Sequence, residues 1–267
     1  MPTSQPTTPV IPTLPNLRDL GGKSTGDGRR VRPGILFRSV DLSRLDEDGT
    51  AAVVGLGIRT VYDLRTAQES EQRPDRVPEG MRRVELDVLA DASDNAAAQL
   101  GPVVEDPKQA ERILSAGGAA RVFRDAYRDL VSLPSARRSY RGLFRGLLDD
   151  GREPALFHCT TGKDRTGWGA ASLLLALGVD EDEVRADYLR TNDDLLPALR
   201  PLFDRFEQAV GDPELLEPVL GVREEYLDTA LDEARARFDG IDGYVRDGLG
   251  LSDDEIDRLG ETLLEDA

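Results

Sequence analysis

The sequence predicts an α/β fold, with a central, mostly parallel sheet of about four to five strands flanked by helices and an all-helical C-terminal part. Three observations carry this prediction. Short runs rich in β-forming residues alternate with stretches of helical periodicity. No strand pattern occurs between 180 and 260. The chain has 267 residues, enough to bury one large core.

Taken in order, residues 1–12 are rich in Pro and Thr and lack both a basic start and an uninterrupted apolar run, so they read as a disordered leader and not as a secretory signal. One domain is expected over 13–267. It opens with Asn16-Leu17-Arg18-Asp19-Leu20-Gly21-Gly22, a polar turn and the apolar run Ile35 to Phe37, a hairpin-like start. Ser43 to Gly57 reads as a helix with Leu45, Val53, Val54 and Leu56 on one side and Gly57 as its cap. Arg59 to Leu64 is a buried strand, and Arg82 to Asp87 another. Residues 88–118 are small, polar and Gly/Ala-rich, and read as a mobile insertion.

Beyond it, Phe123, Tyr127, Leu130 and Val131, then Tyr140, Leu143, Phe144 and Leu147, mark two successive amphipathic helices. Pro154 to His158 is a short buried strand, and Thr166 to Leu177 an apolar helix ending at Gly178. The apolar run Ala170 to Val179 is half the ~20 residues that a bilayer requires. Pro197, Pro201, Pro213 and Pro218 break 191–221 into short leucine- and phenylalanine-rich segments, a helical pair expected to act as a lid. Asp180 with Glu183 and Ser252 with Glu255 have the spacing of helix-starting capping boxes, and Val222, Tyr226, Ala230 and Phe238 share a helical face.

Charge and composition remove several functions. Acidic residues outnumber basic ones by 51 to 34, and the formal charge of -17 repels nucleic acids and anionic membranes at long range. An anionic substrate must therefore meet a local positive pocket. The single cysteine forbids an internal disulfide or a multi-cysteine metal site, and the single histidine, His158, forbids a histidine-rich zinc site. His158 is also next to Cys159, where neighbours on a strand face opposite ways, so a cysteine protease pair does not fit. As a residue beside the strand, His158 either packs there or tunes the following loop.

That loop carries the chemistry. His158-Cys159-Thr160-Thr161-Gly162-Lys163-Asp164-Arg165-Thr166-Gly167 lies between a strand and a helix start, where backbone N–H groups and the positive helix end converge on one spot. Such a spot binds phosphate, or sulfate in its place. The same groups favour a thiolate at Cys159 and so make it a nucleophile. Arg165 can grip two phosphate oxygens with its planar fork. Gly162 lets the loop curl, Lys163 adds charge as one of three lysines in the chain, Thr160 and Thr161 complete the cradle, and Thr166 can donate to the sulfur as it leaves.

This string resembles the signature loop of the protein tyrosine and dual-specificity phosphatases, and more narrowly that of the bacterial tyrosine/serine phosphatases. Asn16 to Gly22, Val61-Tyr62-Asp63-Leu64-Arg65 and the helical tail around Tyr226 and Tyr244 agree in order, so the resemblance spans roughly 13–265. It implies hydrolysis of phosphate monoesters through a phosphocysteine on Cys159, without metal or cofactor, beneath a helical lid. In this bacterial group Asp164 is the leading general acid; Asp87 and Asp91 are rivals, because other tyrosine phosphatases carry the acid on a loop after such a strand. Asp164 can equally be an ion-pair partner, while Asp63 and Arg65 are expected to brace the loop.

The resemblance implies a phosphoprotein substrate, phosphotyrosine first, with phosphoserine/threonine and phosphoinositides as alternatives. Thr160 and Thr161 stand where some lipid phosphatases have a further lysine. It further implies a cytoplasmic protein or one exported without a signal peptide. From another functional class, a phosphate-binding module without turnover is the competing reading. Arsenate reduction fits poorly, for want of a second cysteine.

Overall fold

The computed structural model describes residues 10–92, 118–210 and 212–267. The expected leader and insertion therefore fall largely outside the described residues. In chain order the strands are β1 (Arg18–Asp19), β2 (Arg29–Val31), β3 (Leu36–Ser39), β4 (Thr60–Asp63), β5 (Arg82–Glu85), β6 (Ala155–His158) and β7 (Leu264–Asp266). The main sheet has the order β1-β3-β6-β4-β5, with β1 antiparallel to β3 and the other neighbours parallel.

Period-two alternation makes this sheet the centre of the core. Phe37, Val61 and Leu156 are in register and face a cluster with Leu14, Leu42, Leu45, Val53 and Ile58. Leu36, Tyr62, Ala155 and Phe157 face the larger cluster on the other side. Burial on both faces explains why β6 is a near-continuous apolar run, Ala155-Leu156-Phe157.

On the first side lies α1 (Glu47–Gly55), preceded by a short 3-10 turn, so the helix begins four residues later than its periodicity predicts. Gly57 takes φ +75° just past its end, as a C-terminal glycine should. Val54 does not join the inward face; it is 52% exposed. The two amphipathic helices expected after the insertion are α3 (Gly118–Ser132) and α4 (Pro134–Asp150). Before them comes α2 (Ala67–Gln72), a short helix with no apolar face and hence no periodic signal. The helix α5 (Asp164–Ala176) follows β6, and α6 (Glu181–Leu195) returns alongside it.

Residues 191–221 form the end of α6, a 3-10 turn at Leu196–Leu199, α7 (Arg200–Val210) and two short turns ending at Leu220. A cavity of about 580 Å³ opens there between Asn192, Leu196, Phe203 and Pro213, and no residue of the 159–166 loop lines it. The C-terminal part then runs through α8 (Glu224–Phe238) and α9 (Asp253–Leu263), and β7 closes it by pairing with β2. Ser252 and Glu255 form the expected capping box. Asp180 and Glu183 do not: Asp180 caps Asp182 N, while Glu183 accepts from Ser24 N across the fold. No helix among the described residues is long and apolar enough to cross a membrane.

Candidate active site

The loop from Cys159 to Lys163 leaves the carboxyl end of β6, between β3 and β4, where parallel sheets open a crevice. Its carbonyls are drawn outward. Cys159 O lies 3.0 Å from His158 Nδ1, which must carry the hydrogen because a carbonyl only accepts. Thr160 O accepts from Asp41 N at 3.2 Å, and Lys163 O from Gly167 N at 2.7 Å. Asn16 Nδ2 donates to Thr161 O at 3.3 Å and to Gly162 O at 2.9 Å. Since the C=O and N–H of one peptide point opposite ways, the loop's amides face its concave side. They join the first amides of α5, which have no acceptor within the helix, in one anion cradle.

Gly162 is required by two separate constraints. Its φ is +66°, and a Cβ would lie 2.2 Å from Ser39 O. Beneath it Arg38 Nη2 donates to Gly162 O at 2.7 Å, and Arg38 pairs with Asp187 at 3.1 Å. Arg18 pairs with Asp187 at 3.2 Å and also donates to the Asn16 side chain. Burial opposes the charge on Asp187, but Arg18 and Arg38 prevail and hold its carboxyl well below the usual range. The early stretch Asn16 to Gly22 thus supplies the brace of a loop more than 140 residues later.

Within the cradle, Cys159 is a free, buried thiol. Arg165 is held end-on by Glu69 of α2: Nη1 donates to Oε2 at 2.5 Å and Nη2 to Oε1 at 2.7 Å. Thr160 Oγ1 donates to the same carboxylate at 2.6 Å. Burial works against the charge of Glu69, but the bonds from Arg165 outweigh it and keep the carboxyl well below its ordinary value. Burial likewise opposes the charge of Arg165, and Glu69 more than compensates. An end-on grip uses one edge of the guanidinium and leaves the Nε edge for an anion. The Thr166 hydroxyl is fully buried without a hydrogen-bond partner among the described residues, so its expected bond to the sulfur is not made in this state.

The remaining candidates separate clearly. Asp164 opens α5 directly after the loop, where Tyr127 donates to Oδ1 at 2.8 Å and Lys163 Nζ lies 2.9 Å from Oδ1 and 2.8 Å from Oδ2. Lys163 also sits 4.5 Å over the Phe123 ring. Asp87 instead caps Ala67 N at the start of α2, and Asp91 pairs with Arg138 on α4 at 3.1 Å. Asp63 and Arg65 form a brace: Arg65 Nη2 is 2.7 Å from both Asp63 and Asp75, and Arg83 adds a contact of 2.6 Å to Asp63. Asp63, Asp75 and His158 offer ligand atoms within 4.8 Å of one another, a cluster of the size a cation would need. The guanidiniums of Arg65 and Arg83 already supply that positive charge, which suits a structural brace rather than a metal centre.

Glu69 is the site residue that the sequence reading missed. Its local signal is a capping box with Thr66, whose side chain accepts from Glu69 N while Glu69 accepts from Thr66 N. That spacing marks a helix start, and nothing in it points to an arginine 96 positions away.

The geometry agrees with what comparison finds. The tyrosine phosphatase family matches residues 9–265. The triple specificity protein phosphatase PtpB of Mycobacterium tuberculosis is 36% identical, covering 95% of this chain and 98% of its own. A tyrosine-protein phosphatase of Nostoc commune is 25% identical over 83% of this chain and 71% of its own. Among solved structures, TpbA of P. aeruginosa aligns with 79% of this chain and all of its own at 15% identity and a TM-score of 0.33. With the match running nearly from end to end, the chain belongs to the tyrosine phosphatase family and is a cysteine-dependent phosphatase.

Proposed function

We propose that this protein dephosphorylates phosphotyrosine in proteins, with Cys159 as nucleophile and Asp164 as general acid. The observation that carries the reading is the outward turn of the loop carbonyls, which leaves an anion cradle directly after the nucleophile. Phosphate seats against the loop amides and the Nε edge of Arg165. The Cys159 thiolate then forms the S–P bond as the ester P–O bond breaks, and Asp164 passes its proton to the departing phenolic oxygen. Water next attacks phosphorus, Asp164 takes up a proton from it, and inorganic phosphate and the thiolate are released. The buried Thr166 hydroxyl, lacking another partner, is the donor that steadies the sulfur as it leaves.

Asp164 is favoured over its rivals because it alone of the three lies between Cys159 and Arg165, whereas the Asp87 and Asp91 carboxylates meet the start of α2 and Arg138 of α4. Residues 191–221 are the lid in this reading. They begin on α6 just beyond Tyr188, whose hydroxyl is 2.6 Å from that of Tyr127. A relative named a triple specificity protein phosphatase supports a substrate range wider than phosphotyrosine, and phosphoserine/threonine and phosphoinositides are the further substrates to test.

The test is steady-state turnover of an aryl phosphate, with chelator, by wild type and Cys159→Ser. Chelator-resistant turnover lost in the variant supports the phosphocysteine route, and a preference for phosphotyrosyl peptides over phosphoseryl peptides and phosphoinositide vesicles supports the substrate. Absent turnover by folded, reduced wild type would leave two readings, a lid closed against this small substrate or a phosphate-binding module.

A further inference from the structure

The hydroxyl of Tyr127 has one hydrogen, and it is given to Asp164 Oδ1 at 2.8 Å. In its 2.6 Å contact with Tyr188, Tyr127 must therefore accept, so the chain runs from Tyr188 to Tyr127 to Asp164. Both rings are fixed. Tyr188 lies against α5 so closely that a Cβ at Gly167 would be 3.0 Å from its Cε2. Tyr127 packs edge-on to Tyr188 with centroids 6.4 Å apart, and tilted against Tyr226 at 5.6 Å. Burial, and then the Asp164 charge, push the Tyr127 phenol well above its ordinary value; burial and Asp164 do the same to Tyr188, so both remain donors at neutral pH.

We propose that Tyr127, backed by Tyr188, is the positioning residue for the acid Asp164: Lys163 Nζ reaches both carboxyl oxygens, Oδ1 at 2.9 Å and Oδ2 at 2.8 Å, and Tyr127 adds a second donor to Oδ1 alone, which leaves Oδ2 as the oxygen that carries the acid proton. This rests on Asp164 as the general acid. As the ester P–O bond breaks and the S–P bond forms, the Oδ2 proton moves to the leaving oxygen and Asp164 becomes a carboxylate. A donor to Oδ1 bonds more strongly to the carboxylate than to the neutral acid, so its stabilisation grows as the proton leaves. The tyrosine pair therefore matters when the leaving oxygen needs a proton and loses its effect when it does not.

The test compares kcat/KM, which reports transfer to the cysteine, for wild type, Tyr127→Phe, Tyr188→Phe and Asp164→Asn on para-nitrophenyl phosphate and on phenyl phosphate, whose leaving group is far poorer. Tyr127→Phe is expected to lose at least ten times more on phenyl phosphate than on para-nitrophenyl phosphate, in the same direction as Asp164→Asn. Tyr188→Phe, which keeps its ring against Gly167, is expected to show a smaller bias of the same sign, and it decides the matter if Tyr127→Phe does not fold. Equal losses on both substrates, or none, in a folded tyrosine variant while Asp164→Asn keeps its bias would overturn the positioning role alone. An unbiased Asp164→Asn would remove Asp164 as the acid and the proposal with it.

Discussion

Replacing Glu69 with glutamine removes one negative charge and almost no volume at the point where Arg165 is gripped by bonds of 2.5 and 2.7 Å. Glutamine still suits the third helical position, so α2 and its cap persist. Its single carbonyl can replace only one of the two carboxylate oxygens that hold Arg165, and its amide group repels the guanidinium's hydrogens. At least one charge-assisted bond is lost, about 1.5–3 kcal/mol; the pair is partly open to water, with side chains 12% and 29% exposed, so the lower half of that range applies to stability. Expressed fully in transfer to Cys159, the same range is a fall in kcat/KM of roughly ten- to a hundredfold. Turnover of an aryl phosphate and competitive inhibition by inorganic phosphate are the assays, with circular dichroism as the control for folding. Both phosphate affinity and kcat/KM are expected to fall, because Glu69 holds the fork on the edge that phosphate does not use. Tighter phosphate binding with faster turnover would refute this, showing that Glu69 competes with substrate for Arg165.

Gly162→Ala places a Cβ against Ser39 O in a backbone conformation that alanine resists, so it should cost at least about 2 kcal/mol and abolish most turnover, checked by thermal melting and by kcat on the aryl phosphate. Asp187→Asn removes the counter-charge of buried Arg38 and leaves Arg18 only Asp194 at 3.6 Å, a loss of about 3–5 kcal/mol that should lower Tm by roughly 6–20 °C in a calorimeter. Because Glu69 and Asp187 have folded pKa values depressed below their ordinary 4.5 and 3.8, their stabilisation is complete above those values and is lost as pH falls below them; Tm should be nearly flat from neutrality to about pH 5 and then drop, with a shallower drop in Asp187→Asn.

What the sequence made legible was whatever depends on near neighbours. The β-rich runs gave β4 and β6 because both of their faces are buried, and Gly162 stood out because a loop between strand and helix needs a residue free to take positive φ. The loop's cysteine and arginine were legible for the same reason: their spacing and flanking elements lie within ten residues. Partnerships across the fold were not. Asn16, Arg18 and Asp187 brace the loop through contacts that close only in three dimensions, and the pattern around each is an ordinary polar one. The helix α2 had no apolar stripe to announce it, and Glu69 with it stayed hidden. Val54 was placed inward on spacing alone, yet the helix begins late and rotates it to the surface.

The position of β6 also dictates an order of events during biosynthesis. It is the middle strand of the sheet, yet its residues 155–158 follow both flanking strands, β3 and β4, by more than ninety positions. As the chain emerges, β3 and β4 have no direct pairing with each other to adopt and must wait with hydrogen-bonding edges unfilled. Closure is a long-range step of the slow kind, and it is completed by the strand that leads straight into Cys159. The reactive thiol is thus translated directly after the strand that closes the sheet, but its cradle is finished only when α5 and Asp187, which follow it in the chain, have also emerged.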